Sequence, residues 1–197
     1  MDMSKKTAII VGIGTLTALG AFAQVWFFSY AGPGSTSVIV RSEPSADTSY
    51  ASASLVKQYV SEAYRFSVSI PEDFNAQDLP LGEDGAHTIV LQNAKGDGIQ
   101  ILVTPYPSDI KTLTADDVRA SIPDMKVTDE QVVNIGSDYQ GVAFKTDNDA
   151  FGGASREVWF YYPRFTPSGL EGQLYQISTY ARLDSLLKQM FATWKFF

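Results

Sequence analysis

The sequence predicts an α+β domain, an antiparallel sheet with helices on its faces, preceded by one N-terminal transmembrane helix. Three observations lead there. Residues 7–30 carry no charge, strand-like runs after residue 59 are joined by short turns, and segments near Thr114 and after Asp184 read as helices. Short turns demand antiparallel pairing, because a parallel crossover needs a dozen or more residues. Strands, a helix, strands and a closing helix make an α+β order.

Thr7 to Tyr30 reads TAIIVGIGTLTALGAFAQVWFFSY, roughly 24 uncharged residues where a bilayer core needs about 20. Lys5 and Lys6 stand before it, and the next basic residue is Arg41. The positive-inside rule makes 1–6 a cytoplasmic stub, 7–30 the anchor and the remainder exported. Trp26, Phe27, Phe28 and Tyr30 fit an aromatic belt at the outer headgroups. A competing reading is a cleaved signal peptide, since Ala21-Phe22-Ala23 before Gln24 has the small-x-small pattern; cleavage near Ala23 would release a secreted ligand-binding domain. The apolar run continues through Val25-Trp26-Phe27-Phe28, which favours retention. Gly14 and Ala18 form a small-xxx-small pair of the kind common in membrane helices. Residues 31–58, rich in Gly, Ser, Thr, Ala and Pro, are expected to be a flexible linker. Leu55 to Tyr59 reads as a helical turn or the lead into a domain over 59–197.

Within that domain Tyr64 to Ile70 alternates apolar with polar up to Pro71, as a half-buried strand does. Thr88–Gln92 and Ile99–Val103 form a hairpin across the Gly-rich joint 93–98, with Pro105 and Pro107 closing the second strand. Thr114-Ala115-Asp116-Asp117 resembles a capping box opening a short helix that Pro123 terminates. Val132–Ile135 and Val142–Lys145 flank the turn 136–138. Arg156–Tyr162 and Leu174–Tyr180 flank Pro163 to Gly172. Asp184 is the expected N-cap of a last helix with Leu186, Leu187, Met190, Phe191 and Trp194 on one side.

These residues suggest a family. Tyr59 followed by Tyr64-Arg65-Phe66-Ser67-Val68-Ser69-Ile70-Pro71-Glu72-Asp73-Phe74 resembles the opening of PsbP-like domains, a Tyr followed by Gly-Phe-Ser-Phe, a Pro and a nearby aromatic. Tyr175 to Tyr180 before a closing helix, and Thr193-Trp194-Lys195-Phe196, are similar to the family's Ser-Phe-x-Phe finish. Arg65 departs from the pattern, standing where the family usually has Gly. The resemblance covers residues 59–197 and implies an α-β-α sandwich acting as a non-catalytic binding or accessory module. The named example is an extrinsic subunit of the photosynthetic oxygen-evolving complex. Nothing here points to photosynthesis, since a transit peptide would be Arg-rich and poor in acids. A bacterial envelope protein is expected.

Composition narrows the chemistry. The absence of cysteine excludes disulfides, thiol nucleophiles and zinc–thiolate sites, and the single histidine, His87, excludes a His-rich metal site within one subunit. Fifteen basic against 22 acidic residues disfavour nucleic acid. No Gly-x-Ser-x-Gly elbow, Walker loop, dinucleotide fingerprint or His-Glu-x-x-His occurs. Asp147-Asn148-Asp149-Ala150-Phe151-Gly152-Gly153 begins like a calcium loop, but Phe151 and Val158 occupy its fifth and twelfth positions, so an acidic hairpin loop is expected. Glu83, Asp84 and Asp97 are the carboxylates an acid–base hydrolase would use; loop acids in an acidic chain are more often solvated. On a strand, Trp159 and Tyr161 oppose Phe160 and Tyr162. A core on both faces is expected, an exposed glycan or peptide platform being the alternative. No catalytic, cofactor-binding or metal residue is assigned. The expected partners are the lipid bilayer, through 7–30, and an envelope protein. Residues 1–30 hold two lysines and one aspartate, so the exported part is more acidic than the whole chain's −7. Such a surface is repelled by anionic lipid headgroups and does not resemble a peripheral lipid-binding patch.

Overall fold

The computed structural model describes Tyr50 and residues 52–81, 86–106, 112–148, 153–166 and 169–197. The anchor expected at 7–30 and most of the linker expected at 31–58 lie outside the described residues. The elements run β1 (Lys57–Ser61), β2 (Phe66–Ile70), β3 (Asn75–Leu81), β4 (Ala86–Gln92), β5 (Gly98–Tyr106), α1 (Ala115–Ser121), β6 (Val127–Ile135), β7 (Tyr139–Asn148), β8 (Gly153–Thr166), β9 (Gly169–Tyr180), α2 (Asp184–Thr193) and β10 (Lys195–Phe196). They build a seven-stranded sheet in the order β3-β4-β5-β9-β8-β7-β6 and a three-stranded sheet, β1-β2-β10. Each pairing is antiparallel, as an α+β chain with short connections requires.

Alternation along β8 divides the core. Val158 lies in a cross-strand row with Ala143, Ile177 and Ile101. These residues and Phe160 are covered by α2, through Leu186, Leu187, Met190 and Phe191, and by Phe66, Val68 and Ile70 of the small sheet. Trp159, facing the other way, packs with Val142, Phe144 and with Val118 and Ile122 around α1. The helices therefore lie on opposite faces, and the aromatic run of β8 is core on both sides. Trp159 is 3% exposed, which rules out the platform.

The capping box is present: Asp117 N donates to Thr114 Oγ1 at 3.2 Å, and Thr114 N donates to Asp117 Oδ2 at 2.9 Å. Asp184, expected as an N-cap, is instead the first residue of α2, and Leu183 caps without a side-chain bond. Residues 181–183 form a 3-10 turn that leads into the helix, leaving the Asp184 carboxylate to meet Arg156 and Lys188.

Two prolines expected to end strands lie within ladders. β5 runs through Pro105, which pairs with Gln173, and β8 runs through Pro163, which pairs with Gly172. Both sit beyond the last pair on one side, His87↔Val103 for β5 and Gly141↔Phe160 for β8, where each strand is locally an edge that tolerates a missing N–H. The segment 163–172 is therefore mostly hairpin. Three strands lie beyond those the sequence predicts. β1 occupies the segment expected as a turn or lead, β3 is poor in β-formers, and β10 has only two residues. The folded unit also takes in residues before Tyr59, because Tyr50, Ala53 and Leu55 pack against the main core.

Candidate functional site

The face of the sheet that carries Trp159 also carries a buried carboxylate. Glu157 stands opposite Ser178 on β9, and Ser155 lies two residues away on the same side of β8. Ser155 Oγ donates to Glu157 Oε1 at 2.6 Å, Ser178 Oγ donates to Oε2, and Thr146 Oγ1 and Ser155 Oγ share a hydrogen bond of 2.7 Å. Burial pushes the Glu157 carboxyl above its ordinary range, opposed by the hydrogen bonds from Ser155 and Ser178. A hydroxyl beside a carboxylate is the start of a nucleophile–base pair. Here Ser155 is fully buried and Glu157 is 5% exposed, so the arrangement can hold a proton but offers no opening to a substrate.

A second polar junction forms where β4 turns into β5. Tyr50 Oη donates to Asp97 Oδ2 at 2.8 Å, Asn93 Nδ2 donates to Tyr50 Oη at 3.0 Å and to Asp73 Oδ2 at 3.2 Å, and Arg182 pairs with Asp97 Oδ1. Burial, then the hydrogen bond and charge of Asp97, push the Tyr50 hydroxyl up to about 12. Gln189 Nε2 donates to Tyr50 O at 2.8 Å, joining α2 to the same point. Asp97, one of the carboxylates considered for acid–base work, is thus a structural acceptor that fastens Tyr50 and Arg182 to a turn.

Arg156, on the α2 side of the sheet, is 2% exposed and pairs through Nε with Asp184 Oδ1 at 2.9 Å. Its Nη1 lies 3.5 Å from Asp129, which also holds Lys145 at 2.9 Å and sits at a β6 irregularity with φ +56°. The hydrogen bonds from Lys145 and Gln131 keep the Asp129 carboxyl below its ordinary range.

The other residues singled out in the sequence do not converge on these groups. His87 is a half-buried residue of β4 whose ring centroid lies 5.2 Å from that of Tyr64. Glu83, Asp84 and residues 149–152 of the calcium-like segment lie outside the described residues. Asp147 and Asn148 are ladder residues opposite Ala154 and Gly153, and Val158, at the loop's twelfth position, is buried in β8. Among the described residues no group of three or more His, Asp or Glu side chains could hold a metal ion. Glu157 carries little sign of this role in the sequence, because it follows Ser155 and Arg156 at the polar start of the β8 run. The signal available was the apolar run that directly follows it, Val158 to Tyr162, which marks a strand buried on both faces with no polar side.

The outward face of the small sheet is different in character. Alternation puts Phe66 and Phe196 inside, so Arg65, Lys195 and Phe197 belong outside with Val60. Phe197 N donates to Arg65 O at 3.0 Å, Arg65 Nε donates to Phe197 O at 2.8 Å, and the guanidinium lies 5.0 Å from the Phe197 ring centre. Val56, Val60 and Phe197 are 64%, 43% and 46% exposed.

No family model matches the chain, and no curated protein does. It is similar to a crystal structure from Bacteroides thetaiotaomicron, with 14% identity and a TM-score of 0.41, over 73% of this chain. It spans about half (49%) of that protein's length. Among the described residues no helix is long and apolar enough to cross a membrane.

Proposed function

We propose that the chain is a membrane-anchored, extracytoplasmic binding or accessory module of the PsbP-like kind, which acts on an envelope protein partner and not on a chemical substrate. The observation that carries this reading is the internal use of its reactive-looking groups. Glu157 is closed in by Ser155 and Ser178, Asp97 is held by Tyr50 and Arg182, and Arg156 is held by Asp184. Each serves as a joint between elements. The uncharged segment 7–30 and the polar segment after it support the tethered arrangement, and helices on both faces of the sheet agree with the sandwich.

Arg65 also supports the resemblance. Its φ is +56°, the left-handed conformation that glycine adopts most readily. The position where PsbP-like domains usually carry Gly therefore keeps a glycine-type backbone in this chain. Crosslinking in native membranes followed by mass spectrometry tests the function. A reproducible envelope neighbour is expected; failure to find one, together with small-molecule binding to the chain, overturns the reading.

A further inference from the structure

We propose that the pocket holding Tyr50 is an exchangeable dock, which the chain fills with its own tyrosine until an extended segment of the partner protein brings a tyrosine to replace it. This deepens the accessory-module reading, on which it rests. The acceptor groups form a built site. Asn93 Oδ1 accepts from Lys95 N and Asp97 N at 3.0 Å each, which turns Nδ2 toward the Tyr50 hydroxyl. Arg182 holds Oδ1 of Asp97 and leaves Oδ2 to accept from that hydroxyl. Phe74 meets the Tyr50 ring edge-on at 6.3 Å, and Gln189 takes its backbone carbonyl. The β2–β3 and β4–β5 turns, the 3-10 turn and α2 thus converge on one residue that belongs to no strand. Asn93 and Asp97 are 6% and 7% exposed, and the bonds that orient them come from groups other than Tyr50.

Tyr50 itself is held differently. Among the described residues no ladder takes in 50–56, since β1 starts at Lys57. Tyr50, Ala53 and Leu55 are half-buried, and Ser52, Ser54 and Val56 are exposed. A segment fastened by side chains over a rigid acceptor opens at lower cost than a strand, whose ladder bonds break together. As a tethered competitor Tyr50 acts at an effective concentration on the order of millimolar. Only a segment that binds more strongly, or is itself held close, displaces it.

The pocket defines what it accepts. The charge nearest the hydroxyl is carboxylate: Asp97 Oδ2 touches it, and Asp73 takes the Asn93 amide at 3.2 Å, while Arg182 is committed to the far oxygen of Asp97. Burial and these two carboxylates push the Tyr50 hydroxyl up to about 12. Such a field favours a neutral phenol and repels a phosphorylated or sulfated tyrosine. Phenylalanine would leave Asp97 Oδ2 without its donor. The replacement is therefore a tyrosine with a small apolar side chain three residues on and a larger one five on, as Ala53 and Leu55 follow Tyr50 onto the core.

The probe is a fluorescent peptide of residues 47–55, and the receptor is the full chain carrying Tyr50→Ala. The peptide is expected to bind that chain and not the unsubstituted one at the same concentration. A peptide with Phe in place of Tyr is expected to bind at least about tenfold more weakly, the usual loss when a charged acceptor loses its donor. The phosphotyrosine peptide is expected not to bind. Tyr50→Phe, which keeps the ring against Phe74, serves as receptor if alanine unfolds the chain. A folded receptor that ignores the peptide overturns the proposal, as does equal binding to both chains or equal binding of either altered peptide. A dimer that the unsubstituted chain forms and Tyr50→Ala does not would mean that the tyrosine comes from a second copy, which overturns the partner. Crosslinking in native membranes is then repeated with Tyr50→Ala. The neighbour is expected at higher yield than with the unsubstituted chain and at lower yield with excess peptide; a yield that neither changes overturns the dock. Peptide binding with no neighbour captured by either chain overturns the accessory-module reading instead.

Discussion

The ring of Phe66, in β2, lies 4.4 Å from the indole of Trp194, with planes 11° apart. The pair joins the start of the domain to its end. Trp194 also meets Phe160 edge-on at 5.7 Å, so one side chain links the small sheet, the large sheet and the end of α2. It is 3% exposed, and its Nε1 has no hydrogen-bond partner. Trp194→Ala is expected to cost about 3–5 kcal/mol, the usual range for emptying a large aromatic site. Trp194→Phe keeps a ring and loses no hydrogen bond, so its cost should fall well below that. Urea denaturation checks both; equal losses would mean that the indole is needed for more than packing.

Gly136 opens the β6–β7 turn with φ +59°, and its N–H donates to Phe191 O at 3.1 Å. A Cβ there would collide with Trp194 O. The backbone must therefore be both left-handed and side-chain-free where the turn meets the end of α2. Gly136→Ala is expected to destabilise by about 2–3 kcal/mol, from left-handed strain together with the collision. A change under half that, measured by chemical denaturation, would show that the turn can slide away from α2.

How much of this was legible follows from where the information sits. Thr114 and Asp117 lie three residues apart, so the capping box could be read directly, and the apolar alternation of β2 and the Asn93–Gly98 hairpin were equally local. β3 was not legible, because Asn75-Ala76-Gln77-Asp78 has weak strand propensity and becomes a strand by pairing with β4. Asp184 shows the same limit at a single residue. Its type and place suggest a cap, yet Arg156, distant in sequence and buried, claims its carboxylate. Glu157 is hidden for the same reason, since Ser178 comes from β9, and Thr146, which bonds Ser155, comes from β7.

Arg65 gives a prediction that inverts an ordinary ranking. Its guanidinium contacts Phe197 at the surface, but its φ of +56° strains any residue with a Cβ. Both Arg65→Ala and Arg65→Gly lose the contact, and only glycine relieves the backbone. Arg65→Gly is therefore expected to be more stable than Arg65→Ala by about 1 kcal/mol, against the usual penalty for glycine. Thermal melts of the two variants decide it, and alanine melting higher would mean that the left-handed conformation relaxes.

Glu157 predicts a pH dependence with a definite sign. Burial raises its carboxyl above the ordinary 4.5. Between that value and the raised one the folded chain holds a proton that the unfolded chain has released. Stability from this group is therefore fully present below 4.5 and falls as pH rises through the raised value. Glu157→Gln stays neutral throughout, and the Ser155 and Ser178 hydroxyls can turn to serve its amide. The stability of Glu157→Gln relative to the unsubstituted chain is thus expected to improve as pH rises from 4.5 to the raised value, and to level off above it. Urea midpoints across that range provide the check. A difference that does not vary with pH would mean the carboxylate stays ionised on its two serine donors, and a trend in the opposite sense would mean those hydrogen bonds outweigh burial.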